Sequence, residues 1–214
     1  MTPDQTAPLC RRCGTCCRKG GPGLHVEDLP LVRRNILPRA RLTTLRAGEP
    51  VFDNVAGRVT TLAREIIKVR GLPDGACPFL ESGSICLIHQ DRPLECRLLF
   101  CEAPEAIAAA YDKNRLTRRD CVNPDGALFE LIRHHEERCP AGKAAVLARL
   151  EAHGDANAGR ELADLIRFDA AFREILLERA GIDPQELPFY LGRPLPEVLR
   201  PIRRRAARDP EPRP

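Results

Sequence analysis

Hydrophobic and polar positions divide the chain into two unlike parts. The first part holds short runs rich in β-branched residues, at positions 42–45, 51–53, 59–62 and 65–69. Runs this short, separated by Gly, Pro and Asn residues, predict strands. We expect these strands to form a small antiparallel sheet, with a short helix before them that ends ahead of Pro38.

Helical spacing dominates the second part. Positions 106–111, 128–138, 143–153 and 159–179 each predict a helix. The last of these carries one apolar stripe, which consists of Leu162, Leu165, Ile166, Phe172, Ile175 and Leu176. Gly181 follows the stripe and is placed to end the helix as a C-cap.

Ten cysteines add a chemical feature to this pattern. They are Cys10, Cys13, Cys16, Cys17, Cys77, Cys86, Cys96, Cys101, Cys121 and Cys139. The first four follow C-x2-C-x2-C-C spacing, and a C-x2-C turn brings two sulfurs to one point without strain. Gly14 gives that turn a permissive backbone. The basic residues around it, such as Arg18 and Lys19, favour the thiolate form that binds metal.

The spacing leaves the type of metal open. Three cysteines at x2 spacing are similar to the ferredoxin-like run that wraps an iron–sulfur cluster, and Cys77-Pro78 echoes the proline of that run. The four cysteines from Cys77 to Cys101 contain no C-x2-C pair, whereas a zinc ribbon has one in each half. Adjacent side chains usually point apart. We therefore expect either that Cys16 and Cys17 serve two different sites, or that one of them is a ligand and the other is packed or redox-active.

Composition and charge exclude several classes of function. The net charge of +4 is mild and does not by itself imply nucleic acid, and the basic stretch at 200–208 is interpreted as solvated. The first residues lack a secretory pattern, and no apolar run could cross a bilayer. We therefore expect reduced thiols, a cytoplasmic location and no membrane partner.

The chain has no G-x-S-x-G, P-loop or H-E-x-x-H motif, so whether it is an enzyme stays open.

Several separate motifs in the same order resemble the YkgJ-type cysteine-cluster family, which is described as a zinc- or iron-chelating domain. They are the C-x2-C-G-T-C-C-R run, Glu27-Asp28-Leu29, Cys77-Pro78-Phe79-Leu80, Cys86-Leu87-Ile88-His89 and Arg92-Pro93-Leu94-Glu95-Cys96-Arg97. The resemblance covers residues 10–101. It implies that Cys10, Cys13, Cys16, Cys17, Cys77, Cys86 and Cys96 form the metal cluster, with Cys101 just outside the pattern.

These observations together predict an α+β fold. A small cysteine-rich metal-binding domain with a short antiparallel sheet occupies residues 1–125, and a mainly helical C-terminal part follows. Residues 126–181 form a helical extension packed on that domain. Residues 182–214, rich in Pro and Arg, are expected to run over the surface as a partly disordered tail.

Three functions agree with this organisation. The first is an iron–sulfur protein, slightly favouring the 4Fe-4S type, in redox, sensing or metal handling. The second is a zinc-stabilised interaction module without catalysis, and the third is a thiol redox protein that uses Cys16 and Cys17. The predicted ligands are Cys10, Cys13, Cys16, Cys17, Cys77, Cys86, Cys96 and Cys101. The predicted partners are metal ions and a protein or redox partner on the helical part, and nucleic acid is not expected.

Two histidines remain as further candidates. His89 lies among the thiols and could complete a Cys3His site, although hydrogen bonding near the loop is favoured. His135 and Cys139 lie four positions apart on a predicted helix and could form a second metal site. The favoured interpretation of that pair is a solvated helix end.

Overall fold

The computed structural model describes residues 11–208, so the predicted ligand Cys10 lies outside the described residues. Its strands form two antiparallel pairs. Strand β1 (Leu42–Leu45) pairs with β4 (Ile66–Val69), and β2 (Pro50–Asp53) pairs with β3 (Arg58–Thr61). The sequence located all four strands to within one residue at each end, because each run combines β-branched residues with a flanking turn.

Two irregular segments continue the β1–β4 ladder. The Leu24 N–H donates to the Ile67 carbonyl at 2.8 Å, and the Val69 N–H donates to the Pro22 carbonyl at 2.9 Å. The Leu24 carbonyl in turn accepts the Leu116 N–H at 3.0 Å. The segment that follows the first cysteine run is thus held between β4 and residues 114–116.

Gly21 permits this close approach. A Cβ at position 21 would lie 2.4 Å from the Val69 carbonyl oxygen, well inside contact distance. The glycine-rich loop is therefore a packed element of the fold, and its backbone runs directly against strand β4.

Helices make up most of the remainder. They are α1 (Leu29–Arg33), α2 (Leu94–Leu98), α3 (Glu105–Ala110), α4 (Arg118–Cys121), α5 (Ala127–Arg138), α6 (Ala141–Ala152), α7 (Ala156–Ala180), α8 (Leu187–Leu191) and α9 (Leu195–Arg208). The predicted helices of the second part correspond to α3, α5, α6 and α7. Asp155 caps the start of α7 by accepting the Asn157 and Ala158 N–H groups. Gly181 ends it in the left-handed conformation, with φ of 62°, as predicted.

Residues 187–199 differ from the predicted surface tail. Helix α8 packs against β1, and α9 packs against α6. The buried side chains of this stretch are Leu187, Phe189, Tyr190, Leu191, Leu195, Val198 and Leu199. Pro188 and Pro196 occupy first-turn positions, where a missing N–H costs a helix nothing, whereas Pro201 lies inside α9.

The buried apolar side chains form two clusters. One lies between the β1–β4 ladder and helices α5, α7 and α8, and includes Leu42, Ile67, Ile132 and Phe189. The other lies among α6, α7 and α9 and is built largely from alanine and leucine. No helix in the described part of the chain is long and apolar enough to cross a membrane.

Phe189→Ala tests the structural role of the C-terminal segment. Phe189 is fully buried and lies beneath the Arg39 guanidinium, which is 5.6 Å from the ring centroid. We expect its truncation to lower the free energy of unfolding in urea by about 3 kcal/mol or more. Phe52→Ala is the matched control, because Phe52 is 61% exposed and its loss should cost no more than about 0.5 kcal/mol. Equal effects of the two substitutions would contradict this packing.

Candidate metal centre

The first cysteine run folds into a tight turn. Gly14 has φ of 74°, and a Cβ there would lie 2.6 Å from Nη1 of Arg18, so the position requires glycine. The Arg18 side chain donates from Nη1 to the Cys13 carbonyl at 3.1 Å, and its N–H donates to the Gly14 carbonyl at 3.0 Å. A 3-10 turn at Cys17–Lys19 follows directly.

Backbone and hydroxyl hydrogen bonds dock the second cysteine group on this turn. The Cys77 N–H donates to the Cys17 carbonyl at 2.7 Å. The Ser84 hydroxyl donates to the Cys13 carbonyl at 3.2 Å. A β-bridge between Leu80 and Cys86 folds the intervening loop back on itself. These contacts bring Cys77 and Cys86 to the first run, although about 60 positions separate the two groups in sequence.

Five thiols approach closely enough to influence one another's ionisation. We call them the thiol cluster; they are Cys16, Cys17, Cys77, Cys86 and Cys96, the last on helix α2. Burial, followed by the charge of Cys16, raises the pKa of Cys17 to about 12. Burial is also the main cause that raises the pKa values of Cys77 and Cys96, and neighbouring thiolates add to it. Without a cation, these three thiols of the cluster therefore resist ionisation.

The predicted effect of the basic residues on the thiol pKa in the first cysteine run is small. Cys13, which is exposed, has a lowered thiol pKa. Hydrogen bonding with Thr15 is the main cause, and the Arg18 charge is the smallest contribution. The charge that would stabilise several thiolates together must come from a bound cation. Soft thiolate ligands suit zinc and iron–sulfur clusters.

The Cys16 and Cys17 sulfurs lie 3.9 Å apart, whereas the sequence predicted that they would point apart. Cys16 has helical dihedral angles, φ −66° and ψ −37°, and Cys17 begins the 3-10 turn. Successive side chains of a helical backbone diverge by about 100°, compared with about 180° in a strand. Both thiols can therefore face the same side of the turn.

The remaining predicted ligands lie outside the thiol cluster. Cys13 and Cys101 are exposed. His89 is adjacent to the cluster, because its N–H donates to the Cys86 carbonyl at 3.2 Å. Its Nε2 atom is buried and has no hydrogen-bond partner among the described residues. That nitrogen is compatible with a role as a further ligand.

A second group of candidate ligands lies in the helical part. His135, Cys139 and Asp169 are all buried, and their donor atoms lie within 4.8 Å of one another. The interpretation of His135 and Cys139 as a solvated helix end is therefore wrong. Sequence reasoning missed Asp169, although Asp169 and Arg173 are charged residues that share helical spacing with Leu162 and Leu176 on the buried face of α7.

The contacts of this second group identify it as a structural network. Asp169 Oδ1 accepts from His135 Nε2 at 2.8 Å and from Arg173 Nε at 3.0 Å. Its Oδ2 accepts the Leu195 N–H at 2.9 Å, which anchors the start of α9. Arg46, fully buried, places Nη1 3.4 Å from His135 Nδ1. The donor atoms are already engaged, and two guanidinium groups would repel a metal cation.

His135 makes stability sensitive to acid. Burial lowers the pKa of His135 below its ordinary value of about 6.5 and outweighs the hydrogen bond with Asp169, which raises it; the guanidinium groups of Arg46 and Arg173 act in the same direction as burial. The contribution of neutral His135 to the free energy of unfolding is fully present above about pH 6.5. It falls at lower pH because His135 binds a proton more tightly in the unfolded chain than in the folded one. We expect the free energy of unfolding to decrease between about pH 7.5 and 5.5, and to decrease less in His135→Gln. His134→Gln, at an exposed neighbouring position, should keep the wild-type slope, and equal slopes in all three proteins would contradict this account.

Comparison with known proteins agrees with the geometry. No curated protein and no solved structure matches the chain. One family model, CxxCxxCC, matches residues 9–121, which is more than half of the chain. This confirms the cysteine-cluster resemblance. The chain therefore belongs to the CxxCxxCC family, described as a putative zinc- or iron-chelating domain.

Proposed function

We propose that the protein is an iron–sulfur protein with a role in redox, sensing or metal handling, and that its thiol cluster holds the cofactor. The observation that carries the proposal is the convergence of thiols from three separate segments of the chain at one partly buried place. Iron–sulfur clusters are held by cysteine thiolates. When bound, such a cofactor would supply positive charge to the thiolates and one-electron redox chemistry.

The number and order of the thiols favour a cofactor of several atoms. A tetrahedral zinc ion takes four ligands, whereas the thiol cluster contributes five thiols and the C-x2-C-x2-C-C run adds Cys10 and Cys13. Three cysteines at x2 spacing are similar to the run that wraps an iron–sulfur cluster.

The proposed ligand set follows from position. The thiol cluster supplies the described candidates, and Cys10 and Cys13 join it through the C-x2-C-x2-C-C spacing. Cys13 and Cys101 are both exposed, but Cys101 lies outside the C-x2-C-x2-C-C run, and we leave it out of the set. A reducing compartment such as the cytoplasm would keep these thiols available for metal. A protein or redox partner on the helical part remains a prediction.

Zinc is the second candidate, and one observation favours it. The 3.9 Å separation of the Cys16 and Cys17 sulfurs matches one edge of a tetrahedral zinc site. The loop that carries Cys77 and Cys86 contains only one short 3-10 helix, at Ser82–Ser84. A structural zinc ion would contribute folding energy to such a loop directly.

Anaerobic purification with metal analysis and a visible spectrum separates the two candidates. We expect a brown protein that contains several irons and matching acid-labile sulfide, since a bound iron–sulfur cofactor absorbs in the visible range. A colourless protein with one or two zinc ions would overturn the iron–sulfur proposal in favour of the zinc module. Folded protein with neither metal would overturn chelation itself.

Cys96→Ser tests the ligand assignment. Because Cys96 lies within the thiol cluster, its substitution should remove most of the metal and lower the melting temperature. Cys139→Ser is the control, since Cys139 is a buried thiol that contacts the Leu165 carbonyl in the helical part. It should keep the wild-type metal stoichiometry. Full metal content in Cys96→Ser, or equal loss in both variants, would exclude Cys96 as a ligand.

A further inference from the structure

Helix α2 needs outside support to place Cys96. It spans only five residues, and a helix of that length is not stable on its own. Asp28 supplies part of that support, because its Oδ1 accepts the Leu94 N–H at 2.8 Å, at the first residue of the helix. Asp28 is fully buried, so this bond is shielded from competing water.

The second oxygen of the same carboxylate bonds a different segment. Asp28 Oδ2 accepts the His25 N–H at 3.0 Å. His25 lies just after the glycine-rich loop that leaves the first cysteine run, and its backbone is bridged to Arg115. A single buried carboxylate therefore joins the exit of the first cysteine run to the helix that carries Cys96.

Glu95 makes a second connection between the same two elements. Its Oε2 accepts the Gly23 N–H at 2.7 Å, across 72 positions of sequence. Its Oε1 accepts from Arg115 Nη1 at 2.6 Å, and Arg115 is itself buried. The guanidinium balances the carboxylate charge, so the connection does not leave an unpaired charge inside the protein. Glu95 is also the residue directly before Cys96.

Gly23 allows this connection to form. A Cβ at position 23 would lie 2.4 Å from Arg115 Nη1 and 3.1 Å from Glu95 Oε1. The absence of a side chain lets the carboxylate and the guanidinium reach the backbone. Glycine at this position therefore serves the contact between the two cysteine segments.

We propose that Asp28 and Glu95 are positioning residues that hold helix α2, and with it the Cys96 thiol, against the first cysteine run before any metal binds. The inference rests on the proposed function in so far as it takes Cys96 as a ligand. Neither carboxylate touches the metal in this role. Each acts by fixing the backbone that presents the thiol, as outer residues do at other metal centres.

Two conservative variants test the proposal in the full-length chain. Asp28→Asn and Glu95→Gln keep the shape of each side chain and replace one carboxylate oxygen with a group that cannot accept an N–H. Asp169→Asn is the matched control, because Asp169 is a buried carboxylate that also accepts a backbone N–H, in a network that contains no cysteine of the thiol cluster. Thermal unfolding shows whether each variant is folded and by how much it is destabilised.

The first measurement needs no metal. Reduced, metal-free protein is treated with iodoacetamide, and the alkylation of each cysteine is followed by mass spectrometry. We expect Cys96 to react about tenfold faster in Asp28→Asn and Glu95→Gln than in the wild type, since helix α2 opens more often. Asp169→Asn should leave the Cys96 rate unchanged. Wild-type Cys96 that reacts as fast as in urea would overturn the proposal.

The second measurement titrates the metal-free protein with Co²⁺ alone. Binding is monitored through the charge-transfer absorption between thiolate and Co²⁺. Both variants should bind Co²⁺ about tenfold more weakly than the wild type. Wild-type Co²⁺ affinity and wild-type Cys96 reactivity in both variants would overturn the positioning role, as would an equal loss in Asp169→Asn. A wild-type protein that binds no Co²⁺ would instead count against the proposed chelation, and the alkylation rates would still test the positioning.

Discussion

The burial of closely spaced thiols is the constraint on which the candidate metal centre depends. Burial disfavours the thiolate forms of Cys17, Cys77 and Cys96, and the charge of a neighbouring thiolate adds to that cost. A cation reverses the balance, because it favours every thiolate at once. In the role that we propose, backbone hydrogen bonds and the Asp28 and Glu95 carboxylates hold the neutral thiols together until metal binds.

Two polar networks hold distant segments of the chain together in different parts of the fold. One joins the segment after the first cysteine run to helix α2 through Asp28 and Glu95. The other joins α5, α7 and the start of α9 through Asp169. In both networks, a carboxylate accepts a backbone N–H from a segment that is distant in sequence. This bond fixes the relative position of two elements that apolar contacts alone would allow to slide. Side chains of the same type thus support a metal centre in one place and helix packing in the other.

Local patterns were sufficient for much of the fold. The strands, helix α7 and its Gly181 cap follow from periodicity and turn chemistry within a few residues. Features that depend on distant contacts could not be predicted in this way. Helix α8 is buried because β1 lies opposite it, and His135 is buried because Asp169 and Arg46 pair with it. The cysteine motif identified the family, but the arrangement of its thiols depends on loops whose course the spacing does not specify.

The close contact of Gly21 with strand β4 has a consequence for how variation in this family can be interpreted. Any side chain at position 21 would displace the Val69 carbonyl from its ladder, so even alanine would separate the loop from the strand. A saturation mutagenesis survey would therefore rank Gly21 with the cysteines among the positions least tolerant of replacement. That intolerance would arise from backbone packing alone, and it would not mark Gly21 as part of the chelating chemistry.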